Sequence, residues 1–403
     1  MNILFISPRL PYPPNKGDKI RSNRLLSHLA ENHNVWLATL LEGKLEQNHI
    51  NYLRPYTREI IFEQISRGRE KAIGAISLFT GRPVSVSYFH LYKLQQKIDA
   101  LLDKVSFDVM FCYSGTTAEY LFRSKHFYKE NQTIKYIMDF IDVDSFKWFQ
   151  YSQRFRGWKK WIYSLEWKRV AAFEKKIVKH FDVMFLTSAQ EKKIFLEKVT
   201  KAEITVLRNG VDLEFFSPIA TETFQKKGPL LVFTGVMDYF PNVDAVCWFS
   251  ESILPTVRKS VPEVLFYIVG SRPSVEVQQL AEADQKITVT GFVEDVRPYM
   301  AAADICIAPI RIARGVQNKI LEAMSMGKPV VASGEAVTGI NAALGKGILK
   351  ADSASQFAEI IIDLLKNREK ADSIGREARN FVERHYAWDI HLKVLDSMLM
   401  TQK

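Results

Sequence analysis

The chain of 403 residues is 47% hydrophobic and 25% charged, which excludes a disordered protein and favours two globular domains of about 200 residues each. No apolar run approaches the roughly 18 to 20 residues that a membrane-spanning helix needs. The formal net charge of +10 is uneven, because residues 1–205 carry a net +12 and residues 206–403 a net −2. We therefore expect the first half to bind an anionic surface or a polyanion. The alternative is that it is merely a soluble basic domain.

Short apolar segments along the chain predict buried strands, and the first of them ends before Pro8 and is interpreted as a strand, not a signal peptide. The predicted strands are Asn2–Ile6, Val35–Thr39, Val109–Cys112, Lys135–Met138, Val183–Thr187, Ile204–Leu207, Leu230–Thr234, Val264–Val269, Ile287–Thr290, Ile305–Ala308, Pro329–Ala332 and Gly347–Leu349. Helical patterns separate most of them, for example at 22–32, 244–260 and 354–367. Strands that are apolar throughout and joined by helices indicate parallel sheets covered on both faces.

The strand–helix pattern occurs twice, with a break at residues 208–218. Asn209-Gly210-Val211-Asp212 favours a turn there, and Pro218 ends the segment. We therefore predict an α/β protein of two doubly wound, Rossmann-like domains facing across a cleft, with domains at residues 1–205 and 206–380. Ligands of such sheets bind beyond the carboxyl ends of the strands.

The cysteines and histidines do not suggest a metal site. Cys112, Cys247 and Cys306 are odd in number and widely spaced, which disfavours a disulfide framework and suits a reduced, cytoplasmic setting. No pair of histidines stands at helical spacing beside carboxylates. We expect no metal and no cofactor.

The first candidate site is the proline-rich turn after the first strand, which leads to Gly17 and a helix. Glycine allows close backbone approach, and a helix start offers free N–H groups to an anion. Lys16, Lys19 and Arg21 add positive charge. The turn is neither a Walker loop nor a dinucleotide fingerprint, and an ordinary surface loop explains it as well.

The second candidate is an acidic segment that directly follows a predicted strand. Asp139, Asp142 and Asp144 would then lie at the cleft, where a carboxylate can orient or deprotonate an acceptor hydroxyl. The alternative is that Asp142 or Asp144 caps the next helix.

Residues 154–176 form a basic segment that contains three of the seven tryptophans. Trp158 and Trp161 recur at helical spacing, with Lys159 and Lys160 between them. Such interleaving suits a helix at the headgroup level of a bilayer. The alternative is a helix that packs its tryptophans into the core and leaves its lysines in solvent.

The third candidate, residues 308–332, reads as a strand, a polar loop, a helix and a second strand. Lys319 and Glu322 lie three apart, on one helical face. Arg311, Arg314 and Lys319 can hold a diphosphate near the helix start, and Glu322 can accept hydrogen bonds from ribose hydroxyls. The alternative is a plain salt bridge between Lys319 and Glu322 on an exposed helix.

These segments together carry a family resemblance. The motifs that match are the proline-rich turn near Gly17, Ser188-Ala189-Gln190-Glu191, Asn209-Gly210-Val211-Asp212, Gly291-Phe292-Val293, Ala303-Asp304, Leu321-Glu322-Ala323-Met324 and Gly327-Lys328-Pro329-Val330-Val331. The chain resembles glycosyltransferase family 4, the retaining transferases of GT-B fold. Three segments, DFIDVDS, TGVMDYFPNVDAV and RIARGVQNKILEAM, resemble more narrowly the sugar transferases of exosortase-linked exopolysaccharide clusters.

The resemblance implies an acceptor-binding first domain and a second domain that binds a nucleotide-sugar donor. It also implies that residues 381–403, part of a last helix at about 378–400, cross back to the first domain. Glu322 matches the second acid of the family's Glu-x7-Glu motif, Lys319 a phosphate-facing lysine, and Phe292 and Val293 the loop that frames the nucleobase. Gly17, Gly235 and Gln317 are predicted to line the donor site.

Two positions depart from the family pattern. Arg314 stands where the first acid of the Glu-x7-Glu motif is expected. Gly235-Val236-Met237-Asp238 replaces the usual glycine–arginine and lysine. We expect Arg272, Arg311 and Arg314 to take over the phosphate contacts, and Asp142 and Asp144 to take the catalytic place of the family's histidine.

The prediction is a metal-independent, retaining glycosyltransferase that uses a membrane-associated, lipid-linked acceptor on the inner face of the plasma membrane. Trp158, Lys159, Lys160, Trp161, Lys16, Lys19 and Arg21 would face the acceptor or an anionic membrane. The alternatives are a nucleotide-sugar epimerase of the same fold, a degenerate non-catalytic relative, and a nucleic-acid or polyanion binder. No nucleic-acid-binding motif is present, so we expect no nucleic-acid partner.

Overall fold

The computed structural model describes residues 1–14, 17–43, 47–66, 77, 80–127, 133–218, 223–312, 316–340, 345 and 347–400. The chain divides into two compact units, one of Met1–Arg208 with Leu392–Lys403 and one of Asn209–His391. None of the helices in this described part is both long and apolar enough to cross a membrane.

The first unit is built on a seven-stranded sheet in which every pair of neighbours is parallel. Its strands, in the spatial order β3-β2-β1-β4-β5-β6-β7, are β1 Asn2–Ser7, β2 Asn34–Leu41, β3 Glu59–Gln64, β4 Val109–Tyr113, β5 Lys135–Asp139, β6 Val183–Leu186 and β7 Thr205–Val206. Its described helices are α1 Gly17–Asn32, α2 Gln47–Leu53, α3 Val84–Phe89, α4 Tyr92–Leu102, α5 Ala118–Phe122, α6 Asp144–Arg154, α7 Gly157–Val178 and α8 Ala189–Lys198.

The second unit is built on a six-stranded parallel sheet with the corresponding order β10-β9-β8-β11-β12-β13. The strands are β8 Leu230–Thr234, β9 Leu265–Val269, β10 Ile287–Val289, β11 Ile305–Ala308, β12 Val330–Ala332 and β13 Ile348–Lys350. The helices are α9 Phe240–Trp248, α10 Leu254–Ser260, α11 Val275–Ala283, α12 Arg297–Ala302, α13 Asn318–Ser325, α14 Gly334–Val337, α15 Ala354–Lys366, α16 Arg368–His385 and α17 Trp388–Met400. A π-helical turn, Phe249–Ile253, joins α9 to α10.

The predicted fold class, two doubly wound Rossmann-like sheets, is confirmed, and every predicted strand is present. One strand, β3, escaped prediction because its sequence EIIFEQ contains no fully buried residue. It lies at the edge of its sheet, where one side of the strand needs no apolar cover.

The predicted single helix at 378–400 is wrong, because the structure breaks it between His385 and Trp388. At the break, the Val211 N–H donates to the Tyr386 carbonyl at 2.8 Å, and Val211 forms a parallel bridge with Ala387. The division between the two units then falls inside α17, so its last residues belong to the first unit.

Contacts of the second half of α17 tie it to the first sheet and its helices. His28 of α1 and Asp396 are 2.8 Å apart, and the Lys135 ammonium donates to the Leu399 carbonyl at 3.3 Å. Side-chain hydrogen bonds therefore hold the second half of α17 within the first unit.

Candidate functional site

Each sheet has one topological switch point at which the strand order reverses, between β1 and β4 and between β8 and β11. Doubly wound sheets bind ligands outside the carboxyl ends of the strands at such points. Among the described residues, the non-glycine residues with positive φ all follow such strand ends: Ser114 after β4, Ile141 after β5 and Arg272 after β9. Backbone conformations of this kind cluster at functional sites.

The side chain of Lys319, in the first turn of α13, lies at the carboxyl end of β8. Its Nζ donates a hydrogen bond of 2.7 Å to Oδ1 of Asn242 and lies 3.9 Å from the centre of the Phe233 ring. The other two ammonium hydrogens meet no acceptor among the described residues. A half-buried ammonium with two available donors at a switch point is suited to an anionic group.

Asn242 links this ammonium to the backbone that follows β8. Its Nδ2 donates to the Val236 carbonyl at 2.9 Å while its Oδ1 accepts from Lys319. A Cβ on Gly235 would lie 2.7 Å from Nδ2 of Asn242 and 3.0 Å from Nζ of Lys319. The absence of a side chain at Gly235 therefore leaves room for the pair.

A second glycine, Gly270, follows β9 and packs directly against the backbone of Gly235. Gly270 has φ of +152°, and a Cβ there would lie 1.6 Å from the Gly235 carbonyl oxygen. The Gly235 N–H donates to the Val269 carbonyl at 3.0 Å. The chain after β9 can therefore approach Gly235 this closely only because position 270 is glycine.

Burial shifts the pKa values of Lys319 and Glu322 towards each other. Desolvation lowers the pKa of Lys319 to about 7, against the attraction of Glu322. Desolvation likewise raises the pKa of Glu322 to about 7, against the attraction of Lys319. A bound anion would favour the charged form of Lys319 and return its pKa upwards.

Glu322 does not form the salt bridge that the sequence offered as an alternative. Its carboxylate accepts no hydrogen bond from any described residue, and its interaction with Lys319 is electrostatic only. A half-buried carboxylate without a donor is an available acceptor for hydroxyl groups of a ligand.

The arginines predicted to replace the missing phosphate contacts have protein partners. Arg311 binds Asp244 with both ends of its guanidinium, at 2.9 and 2.6 Å. Arg272 lies 3.2 Å from Asp238 on the exposed surface. Arg314 lies outside the described residues.

The remaining residues predicted to bind the donor lie at separate places in the fold. Phe292, in the loop after β10, is 72% exposed, whereas Val293 packs against the core of the second unit. Gln317 is the N-cap residue of α13. Gly17 is the first residue of α1, in the other unit.

The prediction that Arg21 faces an acceptor is wrong, because the structure buries it. Its Nε and Nη2 donate to Asp139 at 2.7 and 3.2 Å, and both side chains are almost fully inaccessible. A guanidinium removed from water needs such a partner. Of the neighbouring cations, Lys19 is half-buried in α1, and Lys16 lies outside the described residues.

The predicted catalytic residues Asp142 and Asp144 lie beyond the carboxyl end of β5, as expected. The Thr187 hydroxyl donates to Asp142 at 3.2 Å, and Asp144 is the first residue of α6. The strained Ile141, with φ of +69°, comes directly before Asp142. A β-branched residue rarely adopts this conformation, so the segment is held by its surroundings.

Two buried glutamates hold the start of α6: Glu191, from the Ser188-Ala189-Gln190-Glu191 motif, and Glu174, which the sequence analysis did not single out. Glu191 accepts from the Val143 N–H at 2.7 Å, and Glu174 accepts from the Ser145 N–H at 3.1 Å. The N-cap residue itself, Val143, has no side-chain acceptor, so the acceptors come from α7 and α8. Burial raises the pKa of Glu174 to about 8.

The predicted membrane residues occupy the tip of a helical hairpin. Helices α6 and α7 are joined by only Phe155 and Arg156. Trp158 and Trp161 are 70% and 61% exposed, and Lys159 and Lys160 are exposed between them. The alternative in which these tryptophans enter the core is therefore wrong.

A cavity in the first unit lies away from the switch points. It has a volume of about 280 Å³ and lies before the start of β4 and β5, with Phe107, His126 and Tyr136 among its lining residues. It is at the opposite edge from the switch points. No three His, Cys, Asp or Glu side chains of the described residues are placed to hold a metal ion.

Comparison with known proteins agrees with this architecture. Sucrose-phosphate synthase from Thermosynechococcus elongatus superimposes with a TM-score of 0.71 at 16% identity, over 99% of this chain and 98% of that one. The fold is therefore the GT-B fold of glycosyltransferases. Residues 228–367 match the family described as "Glycosyl transferases group 1".

Curated relatives share part of the chain. A GDP-mannose-dependent monoacylated alpha-(1-6)-phosphatidylinositol monomannoside mannosyltransferase of Corynebacterium glutamicum is 28% identical over 49% of this chain. The UDP-Gal:alpha-D-GlcNAc-diphosphoundecaprenol alpha-1,3-galactosyltransferase of Escherichia coli is 27% identical over 36% of this chain. The matches span 56% and 40% of those two proteins, about half of their length.

Proposed function

We propose that the protein is a retaining glycosyltransferase that moves a sugar from a nucleotide-sugar donor to a membrane-associated, lipid-linked acceptor. The observation that carries the proposal is the half-buried Lys319 ammonium, held by Asn242 beside the available Glu322 carboxylate at the switch point of the second sheet. Lys319 and Glu322, three residues apart, thus offer a cation for a diphosphate and a hydrogen-bond acceptor for hydroxyl groups.

The proposed chemistry places the charge of the departing diphosphate at Lys319 and the start of α13. Transfer breaks the bond between the sugar carbon and the diphosphate oxygen and forms a bond from that carbon to the acceptor hydroxyl oxygen, whose proton is proposed to pass to Asp142 or Asp144. Negative charge therefore develops on the leaving oxygen. Fixed cations and N–H groups aimed at that charge lower the barrier. We propose that this occurs without a metal ion, with Glu322 binding the ribose.

The acceptor is proposed to be lipid-linked, which is supported by the lipid-linked acceptors named for both partial relatives. One of those relatives uses a GDP-sugar and the other a UDP-sugar, so they do not favour one nucleobase. We further propose a role in bacterial exopolysaccharide or surface-glycan synthesis, at the inner face of the plasma membrane, with Asp142 and Asp144 near the acceptor hydroxyl.

The test is thermal unfolding with UDP-, GDP-, ADP- and CMP-sugars in the presence of EDTA. Stabilisation by one nucleotide class, and its loss in Lys319→Met and Glu322→Gln, is the expected result, because a ligand that binds only the folded state raises Tm. Lys366→Met, at an exposed lysine of α15, is the matched control and should respond like the wild type. No response of the wild type to any nucleotide sugar would contradict the proposal.

Transfer itself is tested by product analysis with the nucleotide sugar that stabilises the protein. Lipid extracts supply the acceptor, and the product anomer shows whether configuration is retained. Conversion of the nucleotide sugar to its epimer without an acceptor would instead support the epimerase alternative.

A further inference from the structure

The tip of the α6–α7 hairpin, residues 153–161, is exposed at every position and carries three large aromatic side chains. Phe155, Trp158 and Trp161 expose much of their surface although each could have been buried in a core. Trp158 and Trp161 lie three residues apart in α7, so they project from one face. Exposed tryptophans grouped in this way mark an interaction surface.

The same tip is strongly basic. Residues 145–165 contain five Lys and Arg and no Asp or Glu. Arg156, Lys159 and Lys160 form no ion pair with any described residue. The ammonium of Lys159 lies 5.7 Å from the Phe155 ring centre and 5.8 Å from that of Trp158, so cations and rings share one surface.

The placement of these charges favours an anionic partner. Lys159 and Lys160 stand in the first turn of the 22-residue α7, whose N-terminus already carries the positive end of the helix dipole. No acidic residue lies in that first turn. The first acid of α7 is Glu166, which is buried and binds the Val84 and Ser85 N–H groups instead of neutralising the tip.

We propose that this hairpin tip docks on an anionic lipid bilayer, with Phe155, Trp158 and Trp161 at the level of the headgroups and Arg156, Lys159 and Lys160 on lipid phosphates. Tryptophan prefers that interface because its ring is apolar and its N–H is polar. The inference deepens the proposed function and rests on it for its purpose, since docking would bring the first unit to a lipid-linked acceptor.

The hairpin is built to carry such a surface outside the core. Behind the tip, Trp148 stacks on Tyr163 at 5.7 Å, and Phe149 packs on Trp167 at 4.9 Å. These inner rings hold the two helices together, so the outer tryptophans are not needed for packing. Tip variants are therefore expected to fold.

The experiment is sedimentation of the full chain with vesicles of phosphatidylglycerol and phosphatidylcholine, compared with phosphatidylcholine alone. We expect binding only to the anionic vesicles, and weakening by salt. Lys159→Gln with Lys160→Gln should weaken binding about 25-fold, because each cation at an anionic surface contributes about fivefold. Trp158→Ala with Trp161→Ala should reduce binding to a similar extent.

Two matched controls distinguish the tip from general basicity. Lys175→Gln with Lys179→Gln removes the same charge from exposed positions at the other end of α7, and Tyr92→Ala removes an exposed ring elsewhere in the unit. Both controls should bind like the wild type. Equal losses in the controls and the tip variants, or no vesicle binding by the wild type, would overturn the proposal.

Two further readouts keep the proposals separate. Tip variants should still be stabilised thermally by the nucleotide sugar. If the wild type binds anionic vesicles but does not respond to any nucleotide sugar, the proposed function is contradicted and docking is not. Binding of the wild type to RNA or heparin that depends on Lys159 and Lys160 and is not competed by anionic vesicles would overturn docking in favour of a polyanion partner.

Discussion

Lys319 donates a hydrogen bond of 2.7 Å to Asn242, a residue 77 positions earlier in the chain. Asn242 in turn donates to the Val236 carbonyl, so one amide orients both the ammonium and the turn after β8. This relationship assigns Asn242 a positioning role at the proposed diphosphate site, although its own side chain contacts only protein.

Replacing Asn242 by Ala should weaken nucleotide-sugar binding by about 10- to 100-fold, because a hydrogen bond to a charged group contributes about 1.5–3 kcal/mol. Isothermal titration calorimetry measures the change in Kd. Asn242→Asp keeps an acceptor for Lys319 and shows whether the lost hydrogen bond or lost packing is responsible. Gln278→Ala, at an exposed amide of α11, is the control. Unchanged affinity in Asn242→Ala would remove the positioning role.

Binding of a nucleotide sugar should take up protons near pH 8. The pKa of Lys319 is lowered to about 7, so the free lysine is mostly neutral at pH 8 and must be protonated to pair with a diphosphate. Affinity should therefore fall as pH rises above 7, by up to tenfold per pH unit. Calorimetry in buffers of different ionisation enthalpy counts the protons.

The contributions of Lys319 and Glu322 to this proton uptake can be separated by substituting each residue. Lys319→Met should abolish the proton uptake at pH 8, whereas Glu322→Gln should retain it. Uptake that persists without Lys319 would assign the titration to another group.

Two glycines with positive φ should respond very differently to substitution by Ala. At Gly270 the new Cβ would lie 1.6 Å from the Gly235 carbonyl oxygen, so Gly270→Ala should destabilise the second unit by more than about 4 kcal/mol or prevent its folding. At Gly291 no atom lies within 4 Å, so Gly291→Ala should lose only about 1–2 kcal/mol of backbone energy. Urea unfolding measures both, and similar losses would contradict the close approach of β8 and β9.

Glu174 should make the wild type less stable as pH rises. Its pKa is raised by burial to about 8 from an unfolded value near 4.3, so the folded state binds a proton that the unfolded state has released. The free energy of unfolding should fall between about pH 4.3 and 8 by up to about 1.4 kcal/mol per pH unit from this group.

Glu174→Gln removes that dependence while keeping an oxygen that can accept from the Ser145 N–H. The variant should therefore gain stability relative to the wild type as pH rises from 5 to 8, measured by urea unfolding at both values. Glu197→Gln, at an exposed acid of α8, is the control. Parallel pH curves for Glu174→Gln and the wild type would show that Glu174 is ionised in the folded protein.

The two parallel sheets could be predicted from the sequence, because each buried strand is a short apolar run and the helices between the strands have their own period. The sequence also pointed to Lys319 and Glu322, because their spacing on one helical face is local information. The edge strand β3 was not predicted, because its residues are at most half-buried and its sequence is therefore not a continuous apolar run.

Contacts between residues far apart in the chain, and the burial of each helix face, could not be predicted, because both depend on how whole elements pack. Arg21 binds Asp139, which is 118 positions away, and Lys319 binds Asn242, which is 77 positions away. The local periodicity of the sequence contains no information about such pairs. The tryptophans of α7 show the same limit, because helical spacing places them on one face but does not say whether another element covers it. That choice depends on the packing of whole elements, which left Trp158 and Trp161 in solvent.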